Sequence, residues 1–155
     1  MANQQILLIV LVVIIVGTAV AVGINMFSQQ KFQNNGSMLG HEVQQYLVQI
    51  QESYRLWTAL NGLSRDLQGV TAEQLASNIG WAGVNPISNL NGEYLIQVDN
   101  ANVCVHVKSL GKDYHHGQRP AVHGRITFPE GRIMLKRGAV DEASALAELD
   151  LLGEE

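Results

Sequence analysis

The side chains of this sequence that are best able to do chemistry are five histidines, a single cysteine and scattered carboxylates. His115 and His116 stand next to each other in a polar segment between two predicted hairpins, and His106 or His123 could approach them across a sheet. Imidazole nitrogens grouped in this way can bind a transition metal such as zinc. However, adjacent residues of a strand point to opposite faces of a sheet, which weakens this site. The pattern favours solvated loop histidines, with a surface metal site as the alternative.

Cys104 alternates with valines, which indicates a packed residue rather than a reactive thiol. A single cysteine cannot form an intrachain disulfide. The sequence has no Cys-x-x-Cys-His haem motif, no Gly-rich phosphate loop, no Gly-x-Ser-x-Gly elbow and no zinc-protease helix. The neighbouring acids Asp141 and Glu142 fit the start of a helix better than a catalytic pair. The sequence therefore predicts neither a catalytic constellation nor a cofactor.

The charge of the chain argues against one class of partner. The formal net charge is -4, the pI is about 5.7, and the lysines and arginines are scattered. A protein built around nucleic acid needs a basic face that displaces counterions from phosphates. We therefore expect no nucleic-acid partner.

The strongest signal in the sequence is the N-terminal segment. Residues 1–30 contain no acid, base or histidine, and residues 6–23 are aliphatic or small throughout. A helix of about 20 residues is about 30 Å long, which matches the hydrocarbon core of a bilayer. Burying about 15 aliphatic side chains is worth on the order of 20–45 kcal/mol, more than the about 5–15 kcal/mol that stabilises a typical domain. Because the segment is apolar on every side, lipid or copies of the same helix must enclose it.

Two other interpretations of this segment stay open. A cleaved secretory signal needs a positively charged start, and the first five residues contain no lysine or arginine. A plain single-pass anchor fits the composition. Small residues four positions apart, Gly17 with Ala21 and Ala19 with Gly23, weakly favour association with a second helix. Gly17 and Thr18 also mark the expected weak point of the helix.

The rest of the chain has a soluble composition, and its periodicity predicts two further helices. Apolar residues at steps of three and four predict an amphipathic helix over residues 39–61, with a possible break at 34–37. A short helix is predicted over residues 71–79, because Thr71 can cap it, with Gln74 completing the capping box. The apolar face of the first of these helices comprises Leu39, Val43, Tyr46, Leu47, Ile50, Tyr54 and Trp57, and its polar face comprises Glu42, Gln45, Gln49 and Glu52.

The period then changes to two residues, which predicts an antiparallel sheet over residues 93–137 after a loop at 83–89. The valines of the first hairpin indicate one buried face, and Pro129-Glu130-Gly131 forms the turn of the second hairpin. A terminal helix is predicted over residues 141–152. The strands are predicted at residues 94–99, 103–108, 122–128 and 132–136. Together these elements predict an α+β fold with about four strands.

In the order of its elements the chain resembles the type IV pilin and pseudopilin superfamily. The resemblance covers the whole chain as architecture, but in sequence it is specific only over about the first 30 residues. It implies that residues 1–30 form a transmembrane and filament-core helix and that residues 31–155 form a globular head. The subunit would lie in the inner membrane before assembly. Pilus assembly machinery would then extract it into a homopolymeric, extracellular filament on the cell surface.

The resemblance also implies which residues polymerise, and the chain departs from the family near its N terminus. Related pilins commonly carry a carboxylate early in the apolar stretch, whereas this chain has the amides Gln4 and Gln5. Because an amide cannot neutralise an ammonium, we expect the amine of Met1 to be hydrogen-bonded, modified or near water. The basic leader usual in the family is not seen before Met1, so either the numbering starts at the mature chain or processing differs. The expected polymerisation core comprises Ile6, Leu7, Ile9, Val10, Val13, Ile14, Gly17, Ala21 and Gly23.

The leading hypothesis from the sequence is a structural subunit of a type IV pilus-like filament. Its rival from another class is a single-pass, membrane-anchored extracytoplasmic domain that binds a ligand or partner. An anchored enzyme is the third and weakest hypothesis, since no active-site pattern is found.

Overall fold

The computed structural model describes residues 2–56, 62–63 and 65–153. One long helix, α1 (Ala2–Arg55), precedes a short helix, α2 (Ala72–Asn78), and a five-stranded antiparallel sheet in the order β1-β2-β3-β4-β5. The strands are β1 (Ile87–Ser88), β2 (Gly92–Asp99), β3 (Cys104–Gly111), β4 (Gln118–Thr127) and β5 (Arg132–Asp141). This arrangement confirms the predicted α+β class, and its architecture is pilin-like.

Helix α1 is continuous from the apolar segment into the amphipathic one. Residues 34–37 do not break it, and Gly17 does not interrupt it. The hydroxyl of Thr18 donates to the carbonyl of Ile15 at 2.9 Å, which satisfies it within the helix. The helix ends at Arg55. Residues 57–61 of the predicted helix, which include Trp57, lie outside the described residues.

The second half of α1 packs on the sheet through the predicted apolar face. It crosses β3 and β4, and Leu47 and Val43 contact the sheet where β4 has Gly124. A Cβ added at Gly124 would lie 2.6 Å from Cδ1 of Leu47 and 2.7 Å from Cγ1 of Val43, so glycine permits this close approach. Tyr54 stacks on Phe128 with ring centroids 4.1 Å apart. The helix residues with no exposed surface are Leu39, Val43, Leu47 and Ile50.

Glu42 was predicted on the polar face of this helix, but it lies half-buried against the sheet. Its carboxylate accepts hydrogen bonds from the side-chain amide of Asn89 at 2.7 Å, from that of Asn91 and from the hydroxyl of Tyr94. Burial disfavours the charged form, but these hydrogen bonds outweigh it and lower the pKa of Glu42. The carboxylate thus ties the helix to the start of β2.

Helix α2 is observed where the sequence predicted a short helix. Thr71 accepts from the backbone N–H of Gln74 at 3.3 Å, and the Gln74 side chain accepts from the Thr71 N–H at 3.1 Å. Gly80 follows the helix with φ of +88°, a conformation that favours glycine. Trp81, which follows Gly80, is buried against Tyr46 and the rest of the core.

The sheet differs from the prediction in three details. A short strand, β1, lies inside the predicted loop and pairs with β2. The second hairpin is longer than predicted, because β4 begins at Gln118 and β5 ends at Asp141. Val103 is in the turn with φ of +51° rather than in the valine alternation of β3.

The predicted terminal helix over residues 141–152 is wrong. Asp141, whose charge suggested a helix start, pairs with Gln118 as the last residue of β5. Beyond it the chain forms a single 3₁₀ turn (Leu146–Glu148) and lies on the face of the sheet opposite α1. Leu149 is buried there against Leu110 and Ala121. This packing on the sheet replaces the intrahelical hydrogen bonds that the local pattern favoured.

Candidate functional site

The first candidate site is the apolar segment, residues 6–27 of α1. Its large apolar side chains are 49–72% exposed, whereas Leu39 and Leu47 further along the same helix are fully buried. An 18-residue stretch near the N terminus is long and apolar enough to cross a membrane, and none of it is buried. The segment thus has the length and composition of a membrane-spanning helix.

Every described member of the predicted polymerisation core is exposed. Apart from the adjacent turns of the helix itself, no described residue has an atom within 4 Å of the position that a Cβ would occupy at Gly17 or Gly23, so packing among the described residues does not require a glycine there. Gln4 and Gln5 are exposed at the N-terminal end of the helix, and Met1 lies outside the described residues. The exposed core members are Ile6, Leu7, Ile9, Val10, Val13, Ile14, Gly17, Ala21 and Gly23.

The second candidate site lies on the face of the sheet opposite α1. An open groove of about 910 Å³ follows β2, β3 and β4 and reaches the C-terminal segment. Alternation along β3 puts Cys104, His106 and Lys108 on this face, and the register with β4 brings His123 and Arg125 beside them. We call this concavity the histidine groove; its polar lining includes Asp99, Cys104, His106, Lys108, His123, Arg125 and Asp150.

Four of the five histidines form two separate pairs rather than the single cluster considered from the sequence. His115 and His116 contact each other with ring centroids 4.1 Å apart, and His115 lies 3.2 Å from the hydroxyl of Ser28 on α1. His106 and His123 form the other pair, with Nδ1 of His106 2.8 Å from Nε2 of His123. The metal site suggested around His115 and His116 therefore lacks the third imidazole that it was to receive from the sheet.

The pair in the groove belongs to a chain of hydrogen bonds. The backbone N–H of Leu151 is 3.3 Å from Nδ1 of His123, so this nitrogen accepts and the proton of His123 lies on Nε2. Nε2 of His123 then donates to Nδ1 of His106. Because Nδ1 of His106 accepts, the single ring proton of His106 lies on Nε2, and this nitrogen is 3.3 Å from Sγ of Cys104.

The groove favours neutral forms of these groups. Burial, together with His106 and Lys108, lowers the pKa of His123 to about 4, although the carboxylate of Asp150 opposes this shift. Burial and the charges of Lys108 and Arg125 also lower the pKa of His106. Burial raises the pKa of the Cys104 thiol, and nearby Asp99 raises it further. At neutral pH the hydrogen-bonded side chains of His123, His106 and Cys104 are thus two uncharged imidazoles and a thiol.

Sequence reasoning missed this site because it interpreted Cys104 as a packed residue and grouped His106 and His123 with His115 and His116. Cys104, His106 and Lys108 alternate with buried valines, and that alternation was recognised. Two longer-range features were not recognised from the sequence. One is the β3–β4 register, which places His123 beside these β3 residues, and the other is the C-terminal segment, which covers this face of the sheet. The ammonium of Lys108 donates to the carbonyl of Ala147 at 3.0 Å, which fastens that segment to the sheet. The recognisable signal was a cysteine and a histidine two residues apart on one strand face.

Comparisons with protein-family models, with curated proteins and with solved structures returned no match to this chain.

Proposed function

We propose that this protein is a structural subunit of a type IV pilus-like filament and that it polymerises through the apolar segment of α1. The observation that carries the proposal is the contrast within one helix between fully buried and widely exposed apolar residues. Val13, for example, is 65% exposed, whereas Leu47 is 0% exposed. Aliphatic surface of this extent needs a nonaqueous environment that the head does not supply.

The geometry of α1 supports a segment that acts outside its own head. The first buried residue of the helix is Asn35, whose side-chain amide donates to the carbonyl of Asn91 on the head at 2.8 Å. Ser28 still lies 3.2 Å from His115 of the head, so residues 2–27 are the part of the helix that extends beyond the head, roughly 40 Å at about 1.5 Å per residue. This length suits both a bilayer crossing before assembly and a helical core in the polymer.

Small residues supply the second line of support. Gly17 and Ala21 are four residues apart, as are Ala19 and Gly23, so each pair lies on one side of the helix. Neither glycine is needed for packing within the chain. Close contact with a neighbouring helix would use both, because a missing side chain lets two backbones approach.

The rival function is a single-pass anchored domain that binds a ligand outside the membrane. The observation that favours it is the histidine groove, a concave polar surface on the head. Both functions place the apolar segment in a bilayer at some stage, so membrane association alone does not distinguish them. Only the filament subunit requires the apolar segments of neighbouring chains to pack closely, and this requirement distinguishes the two functions.

The decisive experiment changes packing without reducing apolarity. We expect Gly17→Leu to insert in membranes normally but to lose filaments, because the larger side chain prevents close approach of neighbouring helices. Val16→Leu is the matched control, since it adds bulk at a neighbouring position that is already large. Filaments sheared from cells would be imaged by electron microscopy, and the membrane fraction would be quantified in parallel.

Val13→Arg provides a more severe test, with Val13→Leu as its control. A buried arginine inside a bundle of apolar helices should abolish polymer, and Val13→Leu should retain it. If the wild-type chain forms no filament and Gly17→Leu behaves like wild type in membranes, the anchored-domain function replaces the filament proposal.

A further inference from the structure

Three side chains with metal-binding atoms meet at the turn end of the β2–β3 hairpin. Asp99 and Cys104 are the last directly paired residues of the two strands, so their side chains lie on the same face. His106 follows Cys104 by two residues and therefore lies on that face too. A carboxylate oxygen of Asp99, Sγ of Cys104 and a ring nitrogen of His106 all lie within 4.8 Å of one another.

These atoms suit a tetrahedral metal ion of borderline softness. Thiolate, imidazole and carboxylate are the three kinds of ligand that Zn²⁺ takes in proteins. With Zn–S near 2.3 Å and Zn–N near 2.0–2.1 Å, a tetrahedral site separates the two ligand atoms by roughly 3.6 Å. The observed distance between Sγ of Cys104 and Nε2 of His106 is 3.3 Å, so a small adjustment admits the ion.

We propose that Asp99, Cys104 and His106 form a zinc-binding site at the mouth of the histidine groove. The site is independent of the filament proposal, because all three residues belong to the head. Three protein ligands leave a fourth tetrahedral position for water. The groove is open to solvent, which gives the ion a path of entry.

The surroundings of His106 support this assignment. A histidine that binds metal through one nitrogen usually donates its other N–H to a fixed acceptor. With zinc on Nε2, His106 carries its proton on Nδ1, 2.8 Å from Nε2 of His123. Zinc binding therefore reverses the tautomer of His123, which is 2% exposed: its proton moves to Nδ1, 3.4 Å from Oδ1 of Asp150, and the hydrogen bond that Nδ1 accepts from the Leu151 N–H before the ion binds is given up. His123 and Asp150 thus orient the ligand without touching the ion.

Asp99 remains able to bind while it shapes the hairpin turn. Its Oδ1 accepts from the backbone N–H groups of Ala101 and Asn102, and its Oδ2 accepts from the Asn102 side-chain amide at 2.7 Å. A carboxylate oxygen has two lone pairs, so Oδ2 can accept that hydrogen bond and also bind an ion. The turn therefore holds the carboxylate in place beside Cys104.

The test is a titration of the full-length protein in detergent with Zn²⁺, and separately with Co²⁺ as a spectroscopic probe. We expect one saturable Zn²⁺ per chain by calorimetry. We expect Co²⁺ to produce the thiolate-to-metal charge-transfer band and the visible bands of a tetrahedral site. Cys104→Ala and His106→Ala should abolish both signals, and Asp99→Asn should weaken binding by more than about tenfold.

Two controls separate a built site from general surface affinity. The double variant His115→Ala/His116→Ala removes the other histidine pair and should leave stoichiometry and affinity unchanged. Asp99→Asn keeps the backbone hydrogen bonds of the turn, so it reports on the ligand even if Cys104→Ala alters the fold. Far-ultraviolet circular dichroism would verify the fold of each variant, and added Zn²⁺ should raise the melting temperature of wild type but not of Cys104→Ala.

The proposal is overturned if Co²⁺ gives no thiolate band, or if folded Cys104→Ala binds Zn²⁺ as well as wild type does. It is equally overturned if binding disappears in the His115→Ala/His116→Ala variant, since the ion would then sit on that surface pair.

Discussion

Both halves of α1 carry aliphatic residues, yet these residues have opposite environments in the two halves. In the second half the apolar residues recur on one side and pack against the sheet, so Leu39 and Ile50 have no exposed surface. In the first half they occupy every side, and Leu7 and Leu11 remain 72% and 56% exposed. The difference teaches that apolar content does not decide burial within one chain. A single sheet can cover one side of a helix, but not all of it.

The largest expected effect comes from truncating the same residue type in each half. Leu47→Ala should lower the free energy of unfolding of the head by about 2–5 kcal/mol, because it removes a fully buried side chain and leaves a cavity. Leu11→Ala should leave head stability unchanged. Denaturant unfolding of the full chain in detergent, followed by the tryptophan signal, measures both. Equal effects of the two substitutions would contradict the division between the halves.

A second comparison uses two glutamates of the packed half. Glu42→Gln should cost about 1.5–3 kcal/mol, since it removes a carboxylate that accepts hydrogen bonds from Tyr94, Asn89 and Asn91. Glu52→Gln is the matched control, because Glu52 is exposed. Stability changes of the same size in both variants would show that the head does not depend on this polar contact.

The same carboxylate predicts how stability depends on pH. The pKa of Glu42 is lower in the folded protein than the ordinary value of 4.5, which means that the folded state stabilises the ionised form of this carboxyl group. This contribution is complete above pH 4.5 and is lost as the pH falls through the lowered pKa. The difference in unfolding free energy between wild type and Glu42→Gln should therefore be constant near neutrality and shrink in acid. A difference that grows in acid would reverse the assignment.

The smallest effect is expected from adding one methyl group to a glycine in each half. Gly124→Ala should destabilise the head by about 1–3 kcal/mol, because the new Cβ would overlap Leu47 and Val43 of α1. Gly17→Ala meets open space within the chain and should not destabilise the head. Melting temperatures of the two variants test this, and a larger loss in Gly17→Ala would show that the apolar segment packs on the head after all.

Local patterns were sufficient for most elements of the fold. The capping box of α2 was predictable because Thr71 and Gln74 satisfy each other's backbone over three residues. The hairpins followed from the period of two, and Gly131 occupies the left-handed turn position with φ of +72°. The prediction of a terminal helix was wrong because it depended on the local pattern of residues 141–152. In the structure Asp141 pairs with β4, and Leu149 packs on the face of the sheet.

The candidate sites divide in the same way. The apolar segment was predictable down to its residues, since it depends on composition and length alone. The histidine groove was not, because the sequence suggested grouping His115 and His116 with His106 or His123. The β3–β4 register instead aligns His106 diagonally with His123, and β2 brings Asp99 opposite Cys104.

The amino-acid sequence by itself determined that this chain carries an apolar helix that its own head cannot cover, joined to a small α+β domain. It did so because hydrophobic area, helical period and strand period are properties of neighbouring residues. Only the tertiary structure decided that Glu42 binds the sheet, that the C-terminal segment stays nonhelical and that Asp99, Cys104 and His106 converge. These outcomes depend on strand register and on contacts between distant residues, which no local pattern specifies.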